Sequence, residues 1–430
     1  MTGLLLGILA IACLLILADG LRRNRPYELP FFAAVVTATF AVPQLIGLYR
    51  NPVHPVSDAA LRSTLVMTFL CIVMLRFGWQ RGRANARADA TYPSFYNMRL
   101  VYWAAALAAV GCWGNWMIRG LPEEMTSGGW SGLPVAYLFF AMALTYGYAL
   151  SVNMWLRYRT KTALAVIAVT SFVYFSVIVV SGRRQPAAEF VLIPASTLWF
   201  VKRKNLPRIL SAAAIVGMLL FMHSTADYRM AASAAKKGDT WEGAGQIPFI
   251  GNFVAILDYG GPELTNAVTR VDAFGQSGRY DFGLALWNDM VFNYVPRQIV
   301  GQEFKQSLMF SLPDVEYETL GYVGDSGTTW TGFANAFASF GYLGCLVFAF
   351  IGWAMGRIYN RACGDDLIAQ VVYSLMLVNC GLVISHGTSF FFVPWPHIAV
   401  FLLSGLYWAK KPAAGLLGVE GPVALEGAFR

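Results

Sequence analysis

Long apolar runs separated by short polar connections set the pattern of this chain. A bilayer core about 30 Å thick takes roughly 20 apolar residues per helix. Runs near that length fall near 2–18, 29–48, 62–79, 100–118, 133–154, 162–182, 186–201, 207–223, 332–352, 367–385 and 391–409. The pattern predicts an all-α integral membrane protein with about eleven transmembrane helices, ten and twelve being the alternatives. The first run begins at Met1 with no basic region ahead of it and no small-residue cleavage site, and Arg22, Arg23 and Arg25 follow it. That order predicts a retained anchor with its N-terminus outside, not a removable signal peptide.

The basic clusters test this orientation. Arg81, Arg83 and Arg87, then Arg157, Arg159 and Lys161, then Lys202, Arg203, Lys204 and Arg208, then Arg357 and Arg361, then Lys410 and Lys411 fall on alternate connections. With eleven spans and an outside N-terminus, all of them are expected in the cytoplasm, as the positive-inside rule requires. The N-terminus is then outside and the C-terminus inside.

The spans divide the chain into helices 1–8 over 1–223, a long external segment over 224–331, helices 9–11 over 332–409, and a tail over 410–430. The external segment holds thirteen acids and seven Lys or Arg. Two apolar stretches inside it, 246–259 and 282–300, are interrupted by Asn252, Asp258, Asn288, Asp289 and Asn293. Such stretches are expected to lie in the membrane interface or to re-enter without crossing. The tail, rich in Gly, Ala and Pro, is expected to be disordered. No internal repeat is evident, which argues against a transporter built from two halves.

Composition agrees. The 430 residues are 57% hydrophobic and 13% charged, with a mean hydropathy of +0.52, whereas soluble chains average about 45–50% apolar and about 25% charged. This excludes a soluble enzyme, a disordered chain and a fibrous one. A net charge of +8 would point to nucleic acid in a soluble chain; here the side on which each charge lies matters more, and no nucleic-acid partner is expected. Cys13, Cys71, Cys112, Cys345, Cys363 and Cys380 lie in or beside apolar runs, so neither a disulfide framework nor a zinc site is readable. His54, His223, His386 and His397 have no recognisable ligand spacing, and no metal is expected.

The candidate chemistry lies where the charge rule is broken. Arg183 and Arg184 follow Ser181-Gly182 at the external end of the sixth run. Pro186 disfavours helical geometry at Gln185, so the turn is expected to be tight. Guanidinium is planar, always charged and suited to bidentate phosphate contacts. The pair reads as a lipid-linked phosphate or diphosphate site, against ordinary contact with outer-leaflet phosphates or an ion pair with Glu189. Glu189 lies inside an apolar run, with Arg183 or Arg184 as its expected partner. In the acidic external segment Arg279, Arg297 and Lys305 are cations flanked by aromatic and apolar residues, an environment suited to an anionic amphiphile. His386, at the outer end of the tenth run, is a candidate base or an interfacial hydrogen-bonding group. Gly341, Gly344, Gly352 and Gly356 read as helix packing.

Together these pieces resemble the Wzy-type O-antigen and oligosaccharide repeat-unit polymerases of bacterial envelopes. Gly182-Arg183-Arg184 between two spans, the long external segment, the stretch GRYDFG…YVPRQ at 278–298, and the glycine-marked TGFANAFASFGYLGCLVFAFIGWAMGRIY at 331–359 carry the resemblance. The family often shows a Trp and then Lys-Pro after Pro-Arg; this chain has Gln298 to Gln306 there instead, with Lys305 near the end.

The resemblance implies a multi-pass protein of the bacterial inner membrane that joins undecaprenyl-diphosphate-linked repeat units on the periplasmic face. Membrane lipids, a flippase and a chain-length regulator are the implied partners, with no cofactor. Fixed Arg side chains can stabilise the departing diphosphate in place of a metal. The attacking sugar hydroxyl needs a carboxylate or His within hydrogen-bond range. Asp281 leads as that base and His386 is second; Arg183, Arg184, Arg279, Arg297 and Lys305 would bind substrate. An O-antigen ligase, a lipid-linked oligosaccharide transporter and a structural subunit of an export complex are the alternatives.

Overall fold

A computed structural model describes residues 1–84, 92–121, 133–236, 245–324 and 328–412. Among the described residues the secondary structure is helical, with a single isolated bridge between Phe95 and Lys410 and no strand. Nine helices there are long and apolar enough to cross a membrane: Thr2–Arg22, Leu29–Arg50, Asp58–Ala84, Asn97–Arg119, Leu133–Tyr158, Lys161–Val180, Gly332–Cys363, Leu367–Ser385 and Ser389–Ala409. Ile209–His223 and Thr225–Ala232 meet at a 66° bend and make a tenth if counted together. The chain is an all-α, multi-pass membrane protein.

The count is nine or ten, against the eleven expected, for a local reason. A helix does form at the place of the seventh run, Arg184–Lys202, with Pro194 inside it. Arg184, Glu189 and Lys202 leave it less apolar than the other nine. It also starts before Pro186, so Gln185 is helical after all. Proline is tolerated in the first turn because its missing N–H would have no intrahelical partner there.

The two ends of the bundle differ in charge. At one, the basic end, Arg83 pairs with Glu28 at 2.6 Å, Arg361 with Asp366 at 2.6 Å and Arg157 with Asp365 at 2.8 Å. The expected cytoplasmic loops therefore do converge. At the other end, Thr2 bonds Asp58 at 2.6 Å, Arg50 pairs with Asp258 at 3.1 Å, and Arg184 stands 3.7 Å from Glu263. The described parts of the 224–331 segment lie here, with Arg183 and Arg184. Within that segment the helices Phe249–Tyr259 and Leu284–Tyr294 have 11 residues each, about 16 Å of rise and too short to cross.

Two packing features position this end. Asp58–Ala84 and Cys345–Cys363 approach so closely that a Cβ on Gly78 would lie 1.9 Å from the Ala349 carbonyl oxygen, and one on Gly352 2.1 Å from that of Leu75. Gly352 and Gly356 are packing residues, whereas Gly341 has φ +58° and breaks the long helix beneath Tyr280. In Leu367–Ser385 only Ile368 and Asn379 escape full burial. This central helix carries Ser385 and His386 to the far end.

Candidate functional site

Gly182 ends the helix Lys161–Ser181 in the left-handed region, and its N–H caps Ile178 at 2.9 Å. A side chain at position 182 would also run into the Tyr228 ring, 2.7 Å from the would-be Cβ. The reversal places Arg183 in extended backbone and Arg184 at the start of the next helix. Both line a cavity of about 200 Å³ together with Gln185, Arg229, Glu263 and His386. Three guanidiniums face one carboxylate, Glu263. The sequence patterns 183–184 and 386, about 200 residues apart, meet here.

The expected pairing of Glu189 with these arginines does not form. Buried Glu189 accepts hydrogen bonds from Thr145, Tyr174 and Gln185, each at 2.9 Å. Arg184 instead donates from Nε to Thr225 Oγ1 at 3.1 Å and faces Glu263. Five residues along a helix turn the side chain by about 140° around the axis. Arg184 therefore points across the cavity while Glu189 points between Leu133–Tyr158 and Lys161–Ser181.

His386 joins its Nδ1 to Ser385 Oγ at 2.8 Å. Burial, with Arg184 and then Arg229 nearby, lowers its pKa to about 4. Its imidazole is thus neutral at ordinary pH and a weak proton acceptor. An arriving anion would offset the two guanidiniums and raise its basicity.

A second, larger cavity of about 680 Å³ adjoins the first. Thr329 lines the small cavity and Trp330 the large one, and likewise His386 and Thr388. Thr329 Oγ1 donates to the Ser385 carbonyl at 2.7 Å, tying these two wall segments together. The large cavity holds Arg279 and Asp281 as well as Arg270, Asp289 and Glu316.

Its floor forms where 278–283 docks on the helix Gly332–Phe340. Asp281 N–H donates to the Ala338 carbonyl at 3.1 Å and Phe282 N–H to that of Ser339 at 3.0 Å. Asp281 Oδ1 accepts from Gly283 N–H at 2.7 Å, so one oxygen holds its own turn. Arg279 pairs with Glu318 at 2.9 Å. Arg297 and Lys305 line neither cavity. Lys305 Nζ donates to the Phe292 carbonyl at 2.8 Å and lies 4.7 Å from that ring; burial, with Arg297 nearby, lowers its pKa.

Arg229, Arg270 and Asp289 are among the cavity residues to which the sequence reading gave no role. Arg229 is one of the cations in the acidic segment, as is Arg270, which bonds Glu316 and, at 2.7 Å, Asn335. Asp289 stood out only as a polar break in an apolar stretch, and that break was its signal. Desolvation raises its carboxyl above the ordinary value, while a hydrogen bond with Ser389 and the charge of Arg270 pull it back. Among the described residues no three His, Cys, Asp or Glu side chains gather to hold a metal ion. No family model, curated protein or solved structure matches the chain.

Proposed function

We propose that this protein is a membrane-embedded glycosyltransferase that joins lipid-diphosphate-linked oligosaccharide repeat units, in the manner of the Wzy-type polymerases it resembles. One observation carries the reading: Arg183, Arg184, Arg229 and His386 line a single cavity at the end of the bundle away from the basic loops. A cavity with two positive charges in excess, beside the membrane, suits a diphosphate attached to a lipid. The adjoining cavity carries carboxylates with Trp330 and Tyr280, a surface suited to sugar hydroxyls and sugar faces.

In the reaction the acceptor hydroxyl oxygen bonds to the anomeric carbon of the growing chain. The bond from that carbon to the diphosphate oxygen breaks, and the lipid diphosphate leaves with its electron pair beside the guanidiniums. The hydroxyl proton passes to a carboxylate. Asp281 and Asp289 both line the larger cavity, and each already accepts one hydrogen bond, from Gly283 and from Ser389. Asp289 is the base in this reading because desolvation raises its affinity for a proton.

The test is reconstitution with undecaprenyl-diphosphate-linked repeat units, with glycan ladder length as the readout, with and without EDTA. A ladder that survives EDTA and falls about 10²–10⁴-fold in Asp289→Asn supports the reading. A severe loss in Asp281→Asn with Asp289→Asn mild returns the base to Asp281. Loss in EDTA overturns a metal-independent mechanism. Transfer of a finished glycan onto a lipid A core, with no ladder, replaces the polymerase by a ligase.

A further inference from the structure

The basic end of the bundle holds a separate cavity of about 350 Å³ beside the helix Thr2–Arg22. Arg23, Arg25, Arg76 and Arg83 line it against two carboxylates, Asp19 and Glu28. Asp19 is shared by Arg23 at 2.7 Å and Arg76 at 3.6 Å. Glu28 is shared by Arg25 at 3.4 Å and Arg83 at 2.6 Å. Four cations against two anions leave a formal excess of two positive charges. Each guanidinium has five N–H donors, more than a shared carboxylate can satisfy.

The rest of the lining is mixed: Gln80 and Asn360 are polar, and Ile16, Phe31 and Trp79 supply an apolar part. Just beyond its edge, the helix Thr2–Arg22 turns Leu14 and Leu15 outward, 61% and 65% exposed. Four guanidiniums beside an apolar patch, with exposed leucines on the same helix as Ile16, fit an anionic amphiphile better than a wholly water-soluble anion. Diffuse attraction of juxtamembrane cations to anionic lipid needs no cavity. Here Arg76 stands two turns inside the helix end at Ala84 and converges with Arg23 on one carboxylate.

We propose that this cavity binds the phosphate of an anionic phospholipid, with the acyl chains lying along the exposed face of Thr2–Arg22. The site stands apart from the glycan site at the other end and does not depend on it. Phosphate recognition is the shared chemistry, and the lipid is the source the apolar patch favours.

Native mass spectrometry of the purified protein in detergent tests it, using dioleoylphosphatidylglycerol, dioleoylphosphatidylcholine and inorganic phosphate as probes. The phosphatidylglycerol is expected to be retained and the phosphatidylcholine to be lost. Arg23→Gln with Arg76→Gln should weaken retention by about tenfold or more. That pair leaves Asp19 unpaired, so Asp19→Asn is the second variant. It removes a competing negative charge, keeps all four guanidiniums and should tighten retention. Equal retention of both lipids overturns the proposal. So does an equal loss in Arg159→Gln, an arginine at the same end that does not line the cavity. Inorganic phosphate that displaces the lipid keeps the site but opens it to free phosphate. Phosphate binding without any phosphatidylglycerol retention overturns the lipid assignment.

Discussion

The guanidinium of Arg270 lies 4.1 Å from the centre of the Trp330 ring. The same group bonds Glu316 and Asn335, so it joins three helices, Pro262–Ser277, Val315–Leu320 and Gly332–Phe340, around the larger cavity. Glu316 is buried. Removing Arg270 would therefore strand a charge away from water, which costs about 3–5 kcal/mol for a buried pair. Arg270→Ala should lower the melting temperature in detergent sharply. Arg270→Lys should recover only part, since an ammonium keeps the charge and loses the planar fork that serves Glu316, Asn335 and the indole together. Full recovery in Arg270→Lys would mean that charge alone holds this wall.

The smaller cavity calls for a separation of binding from folding. Arg229→Ala should leave the melting temperature unchanged, since Arg229 is exposed, and should weaken binding of a lipid-diphosphate substrate by about 10- to 150-fold. Arg184→Ala should weaken binding likewise, but it also strips Glu263 of its ion-pair partner and Thr225 of a hydrogen bond, so the melting temperature should fall as well. Glu263→Gln is the control: it removes the competing negative charge and should lower KM. A rise in KM in Glu263→Gln would mean that the carboxylate itself touches substrate.

Much of the architecture was readable because a bilayer imposes a length and an apolar composition on each crossing helix. Charge order also separated the basic end from the end that bears Arg183. What the sequence could not carry was direction around a helix. Glu189 and Arg184 lie five residues apart and looked like partners, but they point to different neighbours. Long-range assembly was equally hidden: nothing local says that His386 faces Arg184, or that 278–283 docks on 338–339. Nor does the sequence show that the Lys305 ammonium donates to the Phe292 carbonyl and lies over that ring.

The contact between Asp58–Ala84 and Cys345–Cys363 predicts a steric result. Gly78→Ala places a methyl group where the Ala349 carbonyl oxygen stands, 1.9 Å away, and that oxygen is backbone. The helices must part, at about 1–3 kcal/mol. Gly7→Ala is the matched control, since a Cβ there meets nothing within 4 Å. Thermal unfolding followed by fluorescence should separate the two, and equal melting temperatures would show that the helix pair shifts freely.

His386 predicts the sign of a pH dependence. Its pKa falls from 6.5 to about 4, through burial first and then through Arg184 and Arg229. Between those values the unfolded chain holds a proton that the folded chain does not. Stability contributed by the neutral imidazole is therefore full above about pH 6.5, is lost as pH falls toward 4, and changes no further below. The loss is at most about 3.5 kcal/mol. His386→Asn should remove this part of the slope while other groups keep theirs. Arg229→Gln removes one of the two repelling charges, so the folded pKa should rise and the loss should end at a higher pH. Differential scanning fluorimetry from pH 7.5 to pH 4 on the three proteins reads both effects. An unchanged slope in His386→Asn would show that the imidazole is as well hydrated in the fold as in the unfolded chain.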